Sequence, residues 1–159
     1  MKTINRKALV AGVCVVVFAA ASAVLYSHCQ IPCGIYDDPA RFDQIAENIT
    51  TLEKSMNQIN ELSAAEKPNY NQIVRWIDTK EFHADGTMKI ITAYFMAQRL
   101  KPVGADSPAY AAYVRKLTLL HSMAVECMKA KQSTDLAQVE TLRSLLAEFR
   151  AAYFAGEPK

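Results

Sequence analysis

Nine consecutive residues, His28-Cys-Gln-Ile-Pro-Cys-Gly-Ile-Tyr36, hold the densest metal-binding chemistry of the chain. Cys29 and Cys33 can present two thiolates from a single turn of chain. Pro32 removes a backbone donor and stiffens the loop before Cys33, and Gly34 lets the backbone bend back without a Cβ clash. The spacing is C-x-x-x-C, not the C-x-x-C of zinc knuckles and thioredoxins, and no second Cys or His pair follows at zinc-finger spacing. Structural tetrahedral zinc is therefore poorly supported. If the chain starts at His28, its α-amine and the backbone nitrogen of Cys29 can join the two thiolates in one plane, with the imidazole approaching axially. Square-planar nitrogen and sulfur donors suit nickel(II) or copper(II). On spacing alone, a small disulfide loop in an oxidising compartment is the favoured reading of Cys29 and Cys33.

What precedes the stretch bears on which reading holds. Lys2, Arg6 and Lys7 lead into an apolar run at 8–26, and residues 1–27 contain no Asp or Glu. A basic n-region followed by an apolar segment has the form of an export signal, although 19 residues also suffice to span a bilayer. The expectation is an exported protein, periplasmic or extracellular, and membrane-anchored if the leader is retained. Ala21-Ser22-Ala23 fits the small-residue cleavage pattern, whereas Leu25-Tyr26-Ser27 is a poor signal-peptidase site. A start at His28 thus calls for a dedicated processing peptidase or trimming. Of the 18 basic residues three lie in the leader, leaving 15 against 16 acidic ones, a net of −1. A near-neutral body without a basic stripe argues against nucleic-acid binding.

The remainder reads as helices only. Asp38-Pro39 is an N-cap followed by proline at the first helical position. Phe42, Ile45, Ile49, Leu52, Met56, Ile59 and Leu62 then recur at spacings of three and four. A second helix is expected from Asn69, its apolar face built from Ile73, Trp76, Ile77, Met88, Ile91, Tyr94 and Phe95, with Gly86 either weakening or splitting it. Ser107-Pro108 signals a third helix, faced by Tyr110, Val114, Leu117, Leu120, Met123 and Cys127. Thr134 is the candidate N-cap of the fourth, which carries Leu136, Val139, Leu142, Leu145, Leu146, Phe149 and Tyr153. Four amphipathic helices with short connections predict an all-α fold, an antiparallel up-and-down four-helix bundle preceded by an irregular hook. The expected organisation is a leader at 1–27, the hook at 28–37 and the bundle at 38–159. Cys127 reads as a small buried hydrophobe, and His121 as an ordinary helical residue without a partner at ligand spacing.

The stretch resembles the N-terminal nickel hook of the nickel superoxide dismutases, His-Cys-x-x-Pro-Cys-Gly-x-Tyr. His28, Cys29, Pro32, Cys33, Gly34 and Tyr36 fill every fixed position. The resemblance implies a superoxide dismutase that converts superoxide to O₂ and H₂O₂, with one nickel ion per subunit cycling between Ni(II) and Ni(III). It implies a four-helix bundle assembled as a homohexamer. Carried over, His28, Cys29 and Cys33 are the metal ligands: both thiolates, the Cys29 amide nitrogen and the His28 amine in the plane, and the His28 imidazole axial in the oxidised form. Tyr36 would stand over the open face as the catalytic-site tyrosine, limiting access. Gln30 replaces the aspartate common at the third hook position, and Asp37 lengthens the link to the first helix. In Lys80-Glu-Phe-His83, His83 takes the place of the basic group that supports the axial imidazole, with Glu81 nearby. Two rivals from other classes are a membrane-anchored adaptor with an oxidised C-x-x-x-C and a copper-binding chaperone.

Overall fold

A computed structural model describes residues 37–155. The leader and hook, including His28, Cys29, Cys33 and Tyr36, lie outside the described residues. Four helices run in chain order: α1 (Asp38–Ala64), α2 (Tyr70–Lys89) continued without a break by a π-helical segment (Ile90–Arg99), α3 (Tyr110–Gln132) and α4 (Ala137–Phe154). Each helix packs on its sequence neighbour, and α4 closes on α1, which is the up-and-down bundle expected from the short connections. Among the described residues there is no strand, and no helix is long and apolar enough to cross a membrane.

The α1 seam is the one the spacing predicts. Phe42, Ile45, Leu52 and Met56 are fully buried, and Ile49 and Ile59 nearly so. Its cap stands one residue earlier than expected: the Asp37 carboxylate accepts from Ala40 N at 3.1 Å, and Asp38 is already helical. Asp37 therefore caps α1, which frees Asp38 for a different task. For α2, Asn69 caps as expected, its Oδ1 accepting from Gln72 N at 3.2 Å.

The core stripe of α2 differs from the expected one. Ile77 is 38% exposed, while Lys80, Ala84 and Thr87 join the expected Ile91, Tyr94 and Phe95 at the inward positions. Spacings of three and four still hold, but polar and small side chains occupy half of the stripe, so an apolar count passes over them. The small residues let α1 approach closely: a Cβ on Gly86 would stand 3.4 Å from Asn48 Nδ2. The helix runs through Gly86 unbroken.

Two further helix starts depart from expectation. Ahead of α3, Ser107 closes a turn, its carbonyl accepting from Tyr110 N at 3.0 Å, and Ala109 takes the cap position without a side-chain bond. Val114 is 38% exposed and Tyr110 is exposed too, whereas Tyr113 and Leu117 pack on the core. Six residues before Leu120, Val114 sits about 120° around the helix from it and cannot share its face. Ahead of α4, Leu136 occupies the cap position and Asp135 Oδ1 accepts from Ala137 N at 2.9 Å. Thr134 instead offers its carbonyl to Asn60 Nδ2 at 3.2 Å, tying this loop to the end of α1. Leu136 faces outward, and Val139, Leu142 and Phe149 fill the core.

Lys80 is a buried cation without a buried carboxylate. Its ammonium donates to the carbonyls of Ala130, Lys131 and Ser133 at 2.8, 2.6 and 3.0 Å. These are carbonyls at the C-terminal end of α3, where the helix dipole favours positive charge, so a side chain of α2 caps its neighbour. Desolvation lowers the Lys80 pKa, partly countered by Glu81. Replacing Lys80 with Met leaves those carbonyls without their donor. The expected loss is about 1–3 kcal/mol of unfolding free energy, read as a lower urea midpoint with an unchanged m-value.

Candidate metal centre

At the end of the bundle where α1 begins, one carboxylate gathers three side chains. Asp38 is 9% exposed. Its Oδ1 accepts from the Tyr94 hydroxyl. Its Oδ2 accepts from Arg99 Nη2 at 2.6 Å, from Arg99 Nε at 3.2 Å and from the Tyr153 hydroxyl at 2.8 Å. Arg99 Nε also donates to the Tyr153 oxygen at 3.2 Å. The first turn of α1, the π segment and the last turn of α4 thus meet on one group. Below it lies an aromatic layer, in which Phe42 stands 5.0 Å from Phe95 and 5.3 Å from Phe149 between ring centroids.

Winding explains how Tyr94 and Arg99 reach the same carboxylate. Residues five apart in an α-helix are about 140° around the axis from each other. The π-helix bonds i to i+5, which stacks such residues along one face, and Leu100 N donates to Phe95 O at 2.8 Å in this pattern. Electrostatics follow the geometry. Burial alone would raise the Asp38 carboxyl, but the hydrogen bonds from Arg99, Tyr94 and Tyr153 more than offset it and hold the group below the usual carboxylate range. Burial and the bond to Asp38 push the Tyr153 phenol up to about 12 and the Tyr94 phenol higher still. Both tyrosines therefore stay protonated and remain donors.

The four hook residues with expected roles, His28, Cys29, Cys33 and Tyr36, lie outside the described residues. The candidate supporting pair is described. His83 Nδ1 donates to Asn48 Oδ1 at 2.7 Å, across the α1–α2 contact. Glu81 Oε2 lies 3.3 Å from Lys131 Nζ. Two residues apart on α2, the two side chains leave the helix on different faces, and the fold does not bring them together. His121 is exposed. Cys127 is fully buried, and burial pushes its thiol up to about 12, so it is a packed hydrophobe as expected. Among the described residues no group of three or more His, Cys, Asp or Glu side chains is placed to hold a metal ion.

Sequence reasoning missed the Asp38–Tyr94–Arg99–Tyr153 cluster. Its members lie far apart in sequence, Asp38 had been given the cap, and an α-helical period puts Arg99 on the wrong face. A usable signal was the doubled acid before Pro39, since only one of two adjacent carboxylates is needed as a cap. Because the folded Asp38 carboxyl sits below its unfolded value of about 3.9, it contributes stability that is complete above that value and is lost as pH falls through the folded one. Urea midpoints followed from about pH 5 to about pH 2 should fall more steeply for wild type than for Asp38→Asn, which lacks this linkage. Parallel curves would show that Asp38 does not carry it.

Comparison with known proteins adds the remaining piece. The family model described as nickel-containing superoxide dismutase matches residues 19–157, a span that takes in the hook positions and all four helices. Comparisons with curated proteins and with solved structures gave no match. The family match supports the dismutase reading, and nothing in it supports an adaptor or a copper carrier. Sequence pattern, helical bundle and family match agree: the chain belongs to the nickel-containing superoxide dismutase family, oxidoreductases that act on superoxide with nickel as cofactor.

Proposed function

We propose that the dismutase reaction of this chain takes place at residues 28–36, on a mature chain that begins at His28. The observation that carries the reading is the filling of all six fixed hook positions directly after a segment with the form of an export signal. The donor set fits the metal. Thiolates and a deprotonated amide are electron-rich and stabilise the higher of two oxidation states, and mixed nitrogen and sulfur donors suit nickel. When bound, nickel supplies a one-electron couple between Ni(II) and Ni(III). Two superoxide ions and two protons give one O₂ and one H₂O₂, so the couple must both accept and return an electron.

The residues have separate tasks. Cys29 and Cys33 would hold the ion as thiolates, and metal binding would release their protons. His28 would contribute its amine and its imidazole. The amine is free only if no residue precedes it, so a peptidase that exposes His28 is a required partner. Tyr36 would limit what reaches the metal. An oxidised Cys29–Cys33 pair would hold nothing, so the site must be loaded while reduced.

Export to the periplasm or the extracellular space is supported by the basic and then apolar leader. A homohexamer is carried by the family resemblance alone.

The test compares four forms of the protein by metal analysis and dismutase assay: the mature chain from His28, the same chain with Ser27 retained, His28→Ala and Cys33→Ser. The mature chain is expected to carry one nickel per subunit and full activity. The extended chain and Cys33→Ser should lose both, and His28→Ala should lose activity. Full activity in metal-free protein, or in the extended chain, would overturn the proposal.

A further inference from the structure

We infer that a cleft between the end of the π segment, the first turns of α3 and the end of α4 is a binding site for a phosphate dianion, either inorganic phosphate or a small phosphate monoester. All of its lining residues belong to the bundle, and the inference is independent of where the metal is held.

Helical spacing builds one side of the cleft. Ala109, Ala112, Tyr113 and Lys116 follow each other at intervals of three and one and three, and so share one face of α3. Arg99 ends the π segment, and Lys101 follows the extended residue Leu100 that terminates it. Together with Tyr153 of α4 these side chains line an open cleft of about 420 Å³. That volume lies within the range of about 300–1,000 Å³ usual for small-molecule sites. Leu100 and Val103 give the cleft an apolar wall.

Charge sets the class of ligand. Arg99, Lys101 and Lys116 line the cleft, and no Asp or Glu does. Arg99 is balanced by Asp38 at 2.6 Å, so three cations against one carboxylate leave a surplus of two positive charges. Among the described residues neither lysine ammonium has a carboxylate partner, whereas Lys129, Lys131, Arg143 and Arg150 each have one. A dianion cancels that surplus, and a neutral ligand would desolvate both ammoniums without compensation. The donors are also held in place. Lys116 Nζ stands over the Tyr153 ring, 5.6 Å from its centroid, and Tyr153 is fixed in turn by its bond to Asp38. The Tyr113 hydroxyl has no acceptor among the described residues and can donate to an oxyanion. A phosphate accepts from several such donors at once, and charge-assisted bonds are the strong ones. The amino end of α3, which reaches the cleft at Ala109 and Ala112, adds a smaller attraction of the same sign.

The nickel-loaded chain from His28 is titrated calorimetrically at low salt and about pH 8, where phosphate is a dianion, with inorganic phosphate and separately with phenyl phosphate. None of the lining residues belongs to the hook, so the titration reads the cleft whether or not the nickel assignment holds. Saturable binding at one site per chain is expected, with a dissociation constant of about 1 mM or lower, as two charge-assisted contacts allow. Lys101→Met and Lys116→Met should each weaken it roughly 10-fold. Lys116→Arg keeps the charge and the contact with the Tyr153 ring and should bind like wild type. Lys89→Met removes the same charge from an exposed position on α2 and should also bind like wild type. Tighter binding of phenyl phosphate would identify a monoester whose body rests on Leu100 and Val103, and equal or weaker binding would identify free phosphate. The inference is overturned if neither compound binds saturably, or if Lys101→Met or Lys116→Met keeps wild-type affinity. An equal loss in Lys89→Met would overturn it too, by reducing the effect to net charge.

Discussion

A carboxylate ion removed from water is among the more costly things a small bundle can contain, and Asp38 is such an ion. Its stability depends on donors that arrive in the right places at once. Four hydrogen bonds from three residues meet that demand. None of the three donors lies on α1. The first turn of α1 is thus held from the π segment and from the last turn of α4. One buried charge thereby ties together three of the four elements at this end of the molecule. The aromatic layer beneath it, Phe42, Phe95 and Phe149, supplies the dry floor that makes those bonds strong.

The same demand accounts for the winding of the second helix. As a continuous α-helix, residues 90–99 could turn Tyr94 or Arg99 toward Asp38, but not both. Relaxing to π geometry is intrinsically unfavourable and rare, and here it brings two donors onto one acceptor. Gln98 Nε2 donates to Ala93 O at 2.6 Å, a side-chain bond to the backbone within the segment. At the opposite side of the molecule Lys80 solves the mirror problem. It is a buried cation supplied with three carbonyls at a helix end, where Asp38 is a buried anion supplied with three donor side chains. Among the described residues no buried side-chain nitrogen or oxygen is left without a partner.

How legible all this was in the sequence depended on distance along the chain. The hook is contiguous, its chemistry depends on residue type and spacing, and it could be read without a fold. The α1 seam could be read because every third or fourth residue was large and apolar. Along the second helix Ile91, Tyr94 and Phe95 are buried as expected, but Lys80, Ala84 and Thr87 also face inward, and no count of hydrophobic residues would place them there. The Val114 error is one of register, since a face drawn from α3's first apolar residues drifts away from the one its second half buries. The Asp38 cluster was illegible for a deeper reason. The three donors lie 56 to 115 residues from Asp38, and one of them is reached only through a departure from α-helical winding that no local propensity signals.

This division of labour has a functional side. In most metalloenzymes the fold brings ligands together from distant elements, so folding and site formation are one event. Here the expected ligands are neighbours in sequence, and the bundle contributes none of them. The doubled acid at 37–38 serves the bundle itself: Asp37 caps α1, and the buried Asp38 carboxylate ties its first turn to the π segment and to the last turn of α4.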